Sequence, residues 1–157
     1  MITMVAFSLE PARAPGTRNR AVAPHDVMLH IVARGTLADQ RFSATQLELI
    51  DAAAVQRERI EALGVRMSVH RTSIGRISIE LERALLLMRG HEIVVRRPTF
   101  IVQLHGGPEE AQEHLAEMSR ELGPLAMQAL EEITEEAHKV INANRGNILR
   151  QQQPDSR

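Results

Sequence analysis

The 157-residue chain has no cysteine, no tryptophan and no tyrosine, and its only aromatic residues are three phenylalanines. Without cysteine, a disulfide scaffold, a cysteine-ligated zinc site and a thiol nucleophile are excluded. With so few aromatic rings, base-stacking platforms, aromatic cages and the usual aromatic interface anchors are mostly excluded too. Contacts with a partner must therefore use aliphatic, methionine or arginine side chains.

Long apolar runs are also missing. The densest, residues 84–88, is five residues long, whereas roughly 20 apolar residues are needed to cross a bilayer. Residues 1–9 are apolar but have no basic segment before them and no small-residue cleavage pattern after them, so we expect no signal peptide. The chain is predicted to be soluble and cytoplasmic, with no membrane span.

Lysine is nearly absent. Lys139 stands against 18 arginines, a ratio typical of GC-rich bacterial coding. The net charge of −1 hides an asymmetry: residues 1–105 carry 14 arginines and 10 acids (+4), whereas residues 106–157 carry 5 basic residues and 10 acids (−5). We expect the acidic C-terminal part to lie against the earlier part of the chain or a neighbouring subunit. The same charge distribution argues against a general nucleic-acid binder.

The length is typical of one domain. Residues 10–25 hold three prolines, one glycine and three arginines, a composition that disfavours a helix. We therefore predict a flexible arm over residues 1–25, with a short strand at residues 4–9 that pairs either locally or with another subunit. A single domain over residues 26–146 and a disordered tail over residues 147–157 would follow.

The main pattern of the sequence lies between residues 43 and 90, where spacings of three and four alternate without a break. This heptad seam predicts a coiled-coil surface. Its members are Ile60, Leu63, Met67, His70, Ile74, Ile77, Leu81, Ala84 and Met88.

The seam favours one long, weakly kinked helix over residues 43–89, with Ser43 as its N-cap. An alternative is helix, strand, helix. Gly64 and Gly75 each disfavour a helix by about 1 kcal/mol relative to alanine, and residues 65–70 alternate apolar with polar side chains. The one polar seam position, His70, would set the register of assembly and make it sensitive to pH if its side chain is buried. The alternative, which we favour, is a histidine at a loosely packed or exposed point.

The remaining segments are predicted from shorter patterns. Residues 27–33 form an apolar run that we interpret as a short strand, and residues 92–95 and 99–104 predict a β-hairpin. Helices follow from Pro108 to Leu122, with Ala111, Leu115, Met118 and Leu122 inward, and from about residue 125 to Arg145. The inward residues predicted for the last helix are Leu125, Ala129, Leu130, Ile133, Ala137, Val140 and Ile141. The expected fold is a helix-dominated α+β domain with a long central helix, a short hairpin and two C-terminal helices.

Three groups of residues are candidates for chemistry. Glu135 and His138 form one Glu-x-x-His pair, which di-iron bundles use twice, and His114 lies one turn from Glu110 and Glu117. His105-Gly106-Gly107 precedes a helix, but acidic residues in its first turn would repel an anion. Solvated helix surfaces and turn glycines explain all three, so we predict no catalytic, cofactor-binding or metal-binding residues.

These observations favour a non-enzymatic interaction or structural protein that self-assembles through the seam as a homo-oligomer or as a subunit of a larger assembly. One alternative is a DNA-binding regulator that uses strand 99–104 and the following helices. A basic flank on the seam stretch is also suited to DNA phosphates, but we expect it to meet the acids of the C-terminal helices at Glu131, Glu132, Glu135 and Glu136 instead. This flank consists of Arg59, Arg66, Arg71, Arg76 and Arg83. A small metal-dependent enzyme is the other alternative.

Overall fold

The computed structural model describes residues 19–38 and 43–152, with side chains as far as Arg145. The helices in this part of the chain are α1 (Pro24–Ala38), α2 (Gln46–Ala54), α3 (Arg57–Glu61), α4 (Ile79–Met88), α5 (Gly107–Leu122) and α6 (Pro124–Gln152). The strands are β1 (Ala44–Thr45), β2 (His70–Thr72), β3 (Gly75–Ile77), β4 (Ile93–Arg96) and β5 (Ile101–Leu104). The predicted helix-dominated α+β class is confirmed.

The strands form two small antiparallel sheets. In the first, β5 lies between β1 and β4, and its register with β4 pairs Ile93 with Leu104 and Arg96 with Ile101. This is the hairpin predicted at residues 92–95 and 99–104. In the second, β2 and β3 form a separate hairpin. No helix within the described ranges is both long and apolar enough to cross a membrane.

Helix α1 is the centre of the fold, because α4, α5 and α6 all pack on it. Its residues 27–33 are buried, and Val27, Met28, Ile31, Val32 and Ala33 have no exposed surface. The predicted strand at residues 27–33 is therefore wrong. A short, continuously apolar run fits a buried helix as well as a strand, and a helix surrounded by others is apolar on most sides.

The sequence at the start of α1 favours a helix N-terminus, although the proline-rich composition of residues 10–25 predicted a flexible arm. Pro24 is the first helical residue and Asp26 lies in the first turn, where a proline and an acid are both favoured. The Ala23 amide donates to Asp26 Oδ2 at 2.8 Å, which satisfies one of the free donors at the helix end. The predicted arm therefore extends too far, since helical structure begins before residue 25. The strand predicted at residues 4–9 lies outside the described residues.

The single helix predicted over residues 43–89 is not formed. Gly64 and Gly75 have φ angles of +90° and +124°, which a right-handed helix cannot contain. The chain instead runs through α2, α3, a loop, the β2–β3 hairpin and α4. The alternative of helix, strand, helix is closer to the observed fold.

Helix α2 begins two residues later than predicted. Its N-cap is Thr45 rather than Ser43: Thr45 Oγ1 accepts from the Glu48 amide at 3.1 Å, and Glu48 Oε1 accepts from the Thr45 amide at 2.8 Å. This is a complete capping box. Thr45 and Glu48 have the same spacing as Ser43 and Gln46, so spacing alone did not distinguish the two caps.

The two C-terminal helices agree with prediction over most of their length. The predicted inward stripe of α5 is buried at all four positions. Helix α6 begins at Pro124, close to the expected start, but continues past Gly146 to Gln152, so the predicted tail starts too early. A glycine costs a helix about 1 kcal/mol and does not by itself end it. Leu125, predicted inward, has 82% of its surface exposed.

The loop between α3 and β2 is held to α4 by Glu80. Its Oε1 atom accepts from the Ser68 amide at 3.0 Å, from Ser68 Oγ at 2.9 Å and from Ser78 Oγ at 3.1 Å. The amide of Ser68 is the main cause that lowers the pKa of Glu80 to about 2, because these hydrogen bonds favour the charged carboxylate.

We expect Glu80→Gln to lower the free energy of unfolding by about 1.5–3 kcal/mol at neutral pH, the range for a hydrogen bond to a charged acceptor. The depressed pKa means that this contribution is present above the unfolded pKa and is lost as pH falls towards 2. Urea unfolding at pH 7 and pH 3 measures it, with Glu113→Gln on the exposed side of α5 as the control. Equal losses at both pH values would contradict the assignment.

Candidate functional site

The predicted seam residues are dispersed over six local structures. They lie in α3 (Ile60), in the following loop (Leu63, Met67), in β2 (His70), at the hairpin turn (Ile74), in β3 (Ile77) and in α4 (Leu81, Ala84, Met88). Five of these nine side chains are buried in the core of the same chain, namely Ile60, Met67, Leu81, Ala84 and Met88. They do not form a continuous helical stripe.

Two seam residues of the β2–β3 hairpin are exposed. Ile74 has 64% of its surface accessible, and His70 lies on the exposed strand β2. A buried polar seam position, which was the basis of the pH-sensitive role predicted for His70, is therefore not present in the folded chain.

Helix α4 nevertheless presents an apolar surface to solvent. Leu81, Ala84, Leu85 and Met88 face the core. On the outer side Ile79, Leu86 and Leu87 are 45%, 59% and 73% exposed. We call these three residues the outer face of α4. A helix that is apolar on two sides is typical of one that is covered on both.

The outer face continues into a groove of about 310 Å³ between α4 and the start of α1. Its apolar wall on α4 is formed by Ala84 and by Leu87, the most exposed residue of the outer face. The surface can therefore accept an aliphatic side chain from outside, which a flat patch cannot do as well. The remaining lining residues are Ala23, Pro24, His25, Glu80 and Arg83.

Two charges lie along the outer face. Glu82 and Arg83 are both exposed and stand between Ile79 and Leu86 in the sequence. The result is a short amphipathic surface with apolar residues towards each end and one acid and one base in the middle. Such a surface favours one orientation of a bound partner, because opposite charges attract and like charges repel across an interface.

The sequence did not reveal a buried polar network between α1 and α6. His30 is fully buried, and its Nδ1 lies 2.6 Å from Thr134 Oγ1. Its Nε2 lies 3.3 Å from Glu131 Oε2 without forming a hydrogen bond. The same carboxylate binds Arg34. Packing of α1 against α6 therefore brings together four residues that belong to two distant parts of the sequence.

Burial is the main cause that lowers the pKa of His30 to about 4, since desolvation disfavours the imidazolium. Arg34 and His138 act in the same direction, and Glu131 acts against them. The pKa of His138 is also lowered by burial, although its Nε2 lies 3.0 Å from the carbonyl of Ile31. His30 is therefore neutral in the folded protein at physiological pH.

The three candidate groups for chemistry are not assembled into sites. His138 contacts the backbone of α1, whereas Glu135 is exposed. His114 Nε2 is 3.8 Å from Glu110, and a side chain at Gly106 would collide with Glu110. Among the described residues, no three histidines or acids are placed to hold a metal ion.

A polar cleft of about 200 Å³ also lies between the start of α1 and α5. His25 Nε2 is 3.0 Å from Glu92 Oε2. Arg20 bridges the cleft by binding Asp26 and Glu121. These groups satisfy one another, so the cleft serves the fold as a polar connection between segments that are far apart in sequence.

The predicted charge complementarity is present within the chain. Arg20 binds Glu121 of α5 at 2.5 Å, Arg34 binds Glu131 of α6, and Arg59 lies 3.3 Å from Glu132 of α6. These ion pairs join arginines of the first part of the chain to acids of the last part. Arg59, one of the arginines of the DNA-binding alternative, is therefore directed at the protein itself.

No protein-family model matches the chain. No curated protein and no solved structure matches it either.

Proposed function

We propose that this chain is a non-enzymatic interaction protein that self-associates through the outer face of α4. The observation that carries the proposal is the exposure of Ile79, Leu86 and Leu87 on a helix whose other side already belongs to the core. The surface differs from the predicted seam, but the proposed role is the one that the seam suggested.

Physical arguments support a contact of moderate strength. Complete burial of a leucine or isoleucine side chain contributes about 1.5–3 kcal/mol, and a contact between two copies would cover several such side chains. Association also costs about 4–15 kcal/mol in lost translational and rotational freedom. The difference between the free energy gained by burial and the cost of association is compatible with a reversible complex at micromolar concentration rather than with an obligate one.

The DNA-binding alternative has less support. It requires strand 99–104 to be available for a DNA groove, whereas β5 lies between β1 and β4. The acids of α5 and α6 would also oppose phosphate binding. Self-association needs no feature beyond the exposed apolar face.

We expect the wild-type chain to show a concentration-dependent rise in mass by light scattering or sedimentation, and Leu86→Glu to weaken this association at least about tenfold. A charge placed in an apolar contact is desolvated without a partner. Leu125→Glu, the same change at a leucine that is 82% exposed on α6, is the matched control and should associate like wild type.

Circular dichroism should show both variants folded, since both positions are exposed. A wild-type chain that stays monomeric at about 100 μM, well above a micromolar Kd, would refute the proposed function. Equal weakening by Leu86→Glu and Leu125→Glu would refute the choice of surface.

A further inference from the structure

We infer that the partner at the outer face of α4 is a second copy of this chain, with its α4 parallel to the first about a two-fold axis that runs along the two helices. This inference depends on the proposed function, because it specifies the geometry of the same contact. It follows from the positions of two apolar and two charged residues around one helix.

The apolar positions define a nearly straight ridge. Ile79 and Leu86 are seven residues apart, which is close to two helical turns or about 10.5 Å along the axis. Both lie opposite the buried residues Leu81 and Met88. Because successive residues are about 100° apart around a helix, Glu82 lies on one flank of the ridge and Arg83 on the other.

A parallel two-fold pair makes the two flanks complementary. Rotation about an axis along the helices brings the Glu82 flank of one copy beside the Arg83 flank of the other, at nearly the same height. Ile79 then faces Ile79 of the partner, and Leu86 faces Leu86. Each opposite-charge contact occurs twice, and flanking charges of this kind are the ones that set the orientation of paired helices.

An antiparallel pair would produce the opposite electrostatic result. Rotation about an axis perpendicular to the helices keeps each flank on its own side, so Glu82 would lie near Glu82 of the partner and Arg83 near Arg83. Like charges across an interface are unfavourable and select against that arrangement. An antiparallel pair would gain from opposed helix dipoles, but that effect is limited to the terminal turns and is screened at the surface.

The groove beside Leu87 agrees with the parallel arrangement. Seven residues rotate the chain by about 700°, so Leu86 lies about 20° from Ile79 towards the Glu82 flank. In the parallel pair that flank faces the partner's Arg83 flank, which includes Leu87 and the groove. Leu86 of each copy is thereby directed towards the groove of the other.

The arrangement is closed by its symmetry. Both copies use the same surface, so each ridge and each groove is occupied once in the pair. A contact of this isologous kind forms a dimer and leaves no free copy of the surface to extend a filament. The expected assembly through the outer face is therefore a dimer.

Disulfide cross-linking tests the orientation directly, because the full chain has no cysteine of its own. Chains carrying Ile79→Cys and Leu86→Cys are purified separately and oxidised alone and as a mixture. The parallel register predicts that each variant forms a disulfide-linked dimer with a second copy of the same variant. The mixture should give almost no mixed dimer, since residues 79 and 86 are about 10.5 Å apart along the axis. A mixture that forms mainly the mixed dimer would indicate an antiparallel contact and would overturn the inference.

Charge reversal provides a second, independent measurement. Glu82→Arg and Arg83→Glu should each weaken self-association by about tenfold or more, because each turns two opposite-charge contacts into like-charge contacts. The chain that carries both changes should recover association, since it exchanges the two charges and restores both contacts. Glu113→Arg, at an exposed position of α5, changes the net charge by the same amount as Glu82→Arg and is the control for that variant.

The antiparallel arrangement makes a different prediction for these variants. Its flank contacts are already between like charges, so a single reversal would leave their number unchanged. Single variants that associate like the wild type, or a double variant that stays as weak as the single ones, would overturn the inference.

The inference and the proposed function fail in different ways. A wild-type chain that remains monomeric refutes both. A wild-type dimer that is weakened by Leu86→Glu but gives mainly the mixed cross-link refutes the parallel register and retains the surface. A wild-type dimer that is unaffected by Leu86→Glu refutes the surface and, with it, the orientation.

Discussion

Arg20→Ala is expected to lower the free energy of unfolding by about 3 kcal/mol, because it leaves a buried carboxylate without its cation. Asp26 is only 2% exposed, and the guanidinium of Arg20 donates to its two oxygens at 2.8 and 2.9 Å. The expected loss lies at the low end for a buried pair because Arg20 itself is 43% exposed, so water can replace part of what the guanidinium supplies. Urea unfolding at pH 7 measures the loss.

Arg57→Ala is the matched control for Arg20→Ala. Arg57 binds Glu61 at 3.3 Å, but both side chains are close to half exposed, and such surface pairs contribute about 0–1 kcal/mol. The double variant Arg20→Ala with Asp26→Asn should recover part of the stability, since a neutral amide needs no cation. Similar small losses for Arg20→Ala and Arg57→Ala would show that Asp26 does not depend on Arg20.

His30→Gln is expected to remove a loss of about 3 kcal/mol that the wild-type protein suffers between pH 7 and pH 4. The folded pKa of His30 is about 4, below its usual value of 6.5, so the unfolded chain takes up the proton first. Stability is therefore lost as pH falls below the unfolded pKa, and the loss levels off below the folded one. A shift of one pKa unit corresponds to about 1.4 kcal/mol, which sets the size of the effect.

Unfolding free energies measured at several pH values for the two chains decide this prediction. The variant should be less stable at pH 7, where Thr134 loses its imidazole partner, and the difference should shrink or reverse near pH 4. Glutamine provides a polar, uncharged group in the place of the imidazole. His70→Gln on the exposed strand β2 is the control and should follow the wild-type curve. Parallel curves for wild type and His30→Gln would contradict the burial of a neutral His30.

The charged groups around His30 determine which part of the pH dependence belongs to it. Arg34 lies on the same helix, while Glu131 and His138 approach from α6. His138 also has a pKa lowered by burial, so it adds a loss of the same sign that remains in the His30→Gln chain. The carboxylates that the protein holds in their charged form, such as Glu80, lose their contribution only at lower pH.

Local patterns were sufficient for the helix-dominated class, the β4–β5 hairpin and the inward stripe of α5. Each of these elements is specified by residues close together in the chain, either by a 3.6-residue period or by two β-branched runs joined through Pro98. The start of α5 was also readable, since Pro108 and the acids after it are favoured at a helix N-terminus. These preferences involve only residues that are neighbours in the sequence, so they can be predicted without knowledge of the tertiary structure.

The heptad pattern predicted the wrong structure because it depends on spacing within one segment, whereas the observed fold of that segment depends on contacts with residues further along the chain. Spacing records which residues could share a face if the chain were helical throughout, but it does not record the backbone angles at Gly64 and Gly75. Those angles are accepted because the loop and hairpin gain other contacts: Glu80 holds Ser68, and Asp51 of α2 accepts from the Arg76 amide at 2.8 Å. The competing contacts join residues 12 and 25 positions apart.

Tertiary packing alone assigned the roles of the histidines and of residues near the start of the domain. The local sequence places His30 in the apolar run of residues 27–33, but it does not identify Thr134 as the partner of the buried imidazole. The same kind of local pattern placed His70 in a seam, whereas it is exposed on β2. The partner of His30 is 104 residues away. Arg20 acquires its importance in the same way, since it joins the start of α1 to Glu121, 101 residues further along the chain. Burial of a polar group is costly unless a partner is supplied, and in this chain those partners are brought together only when α5 and α6 pack against α1.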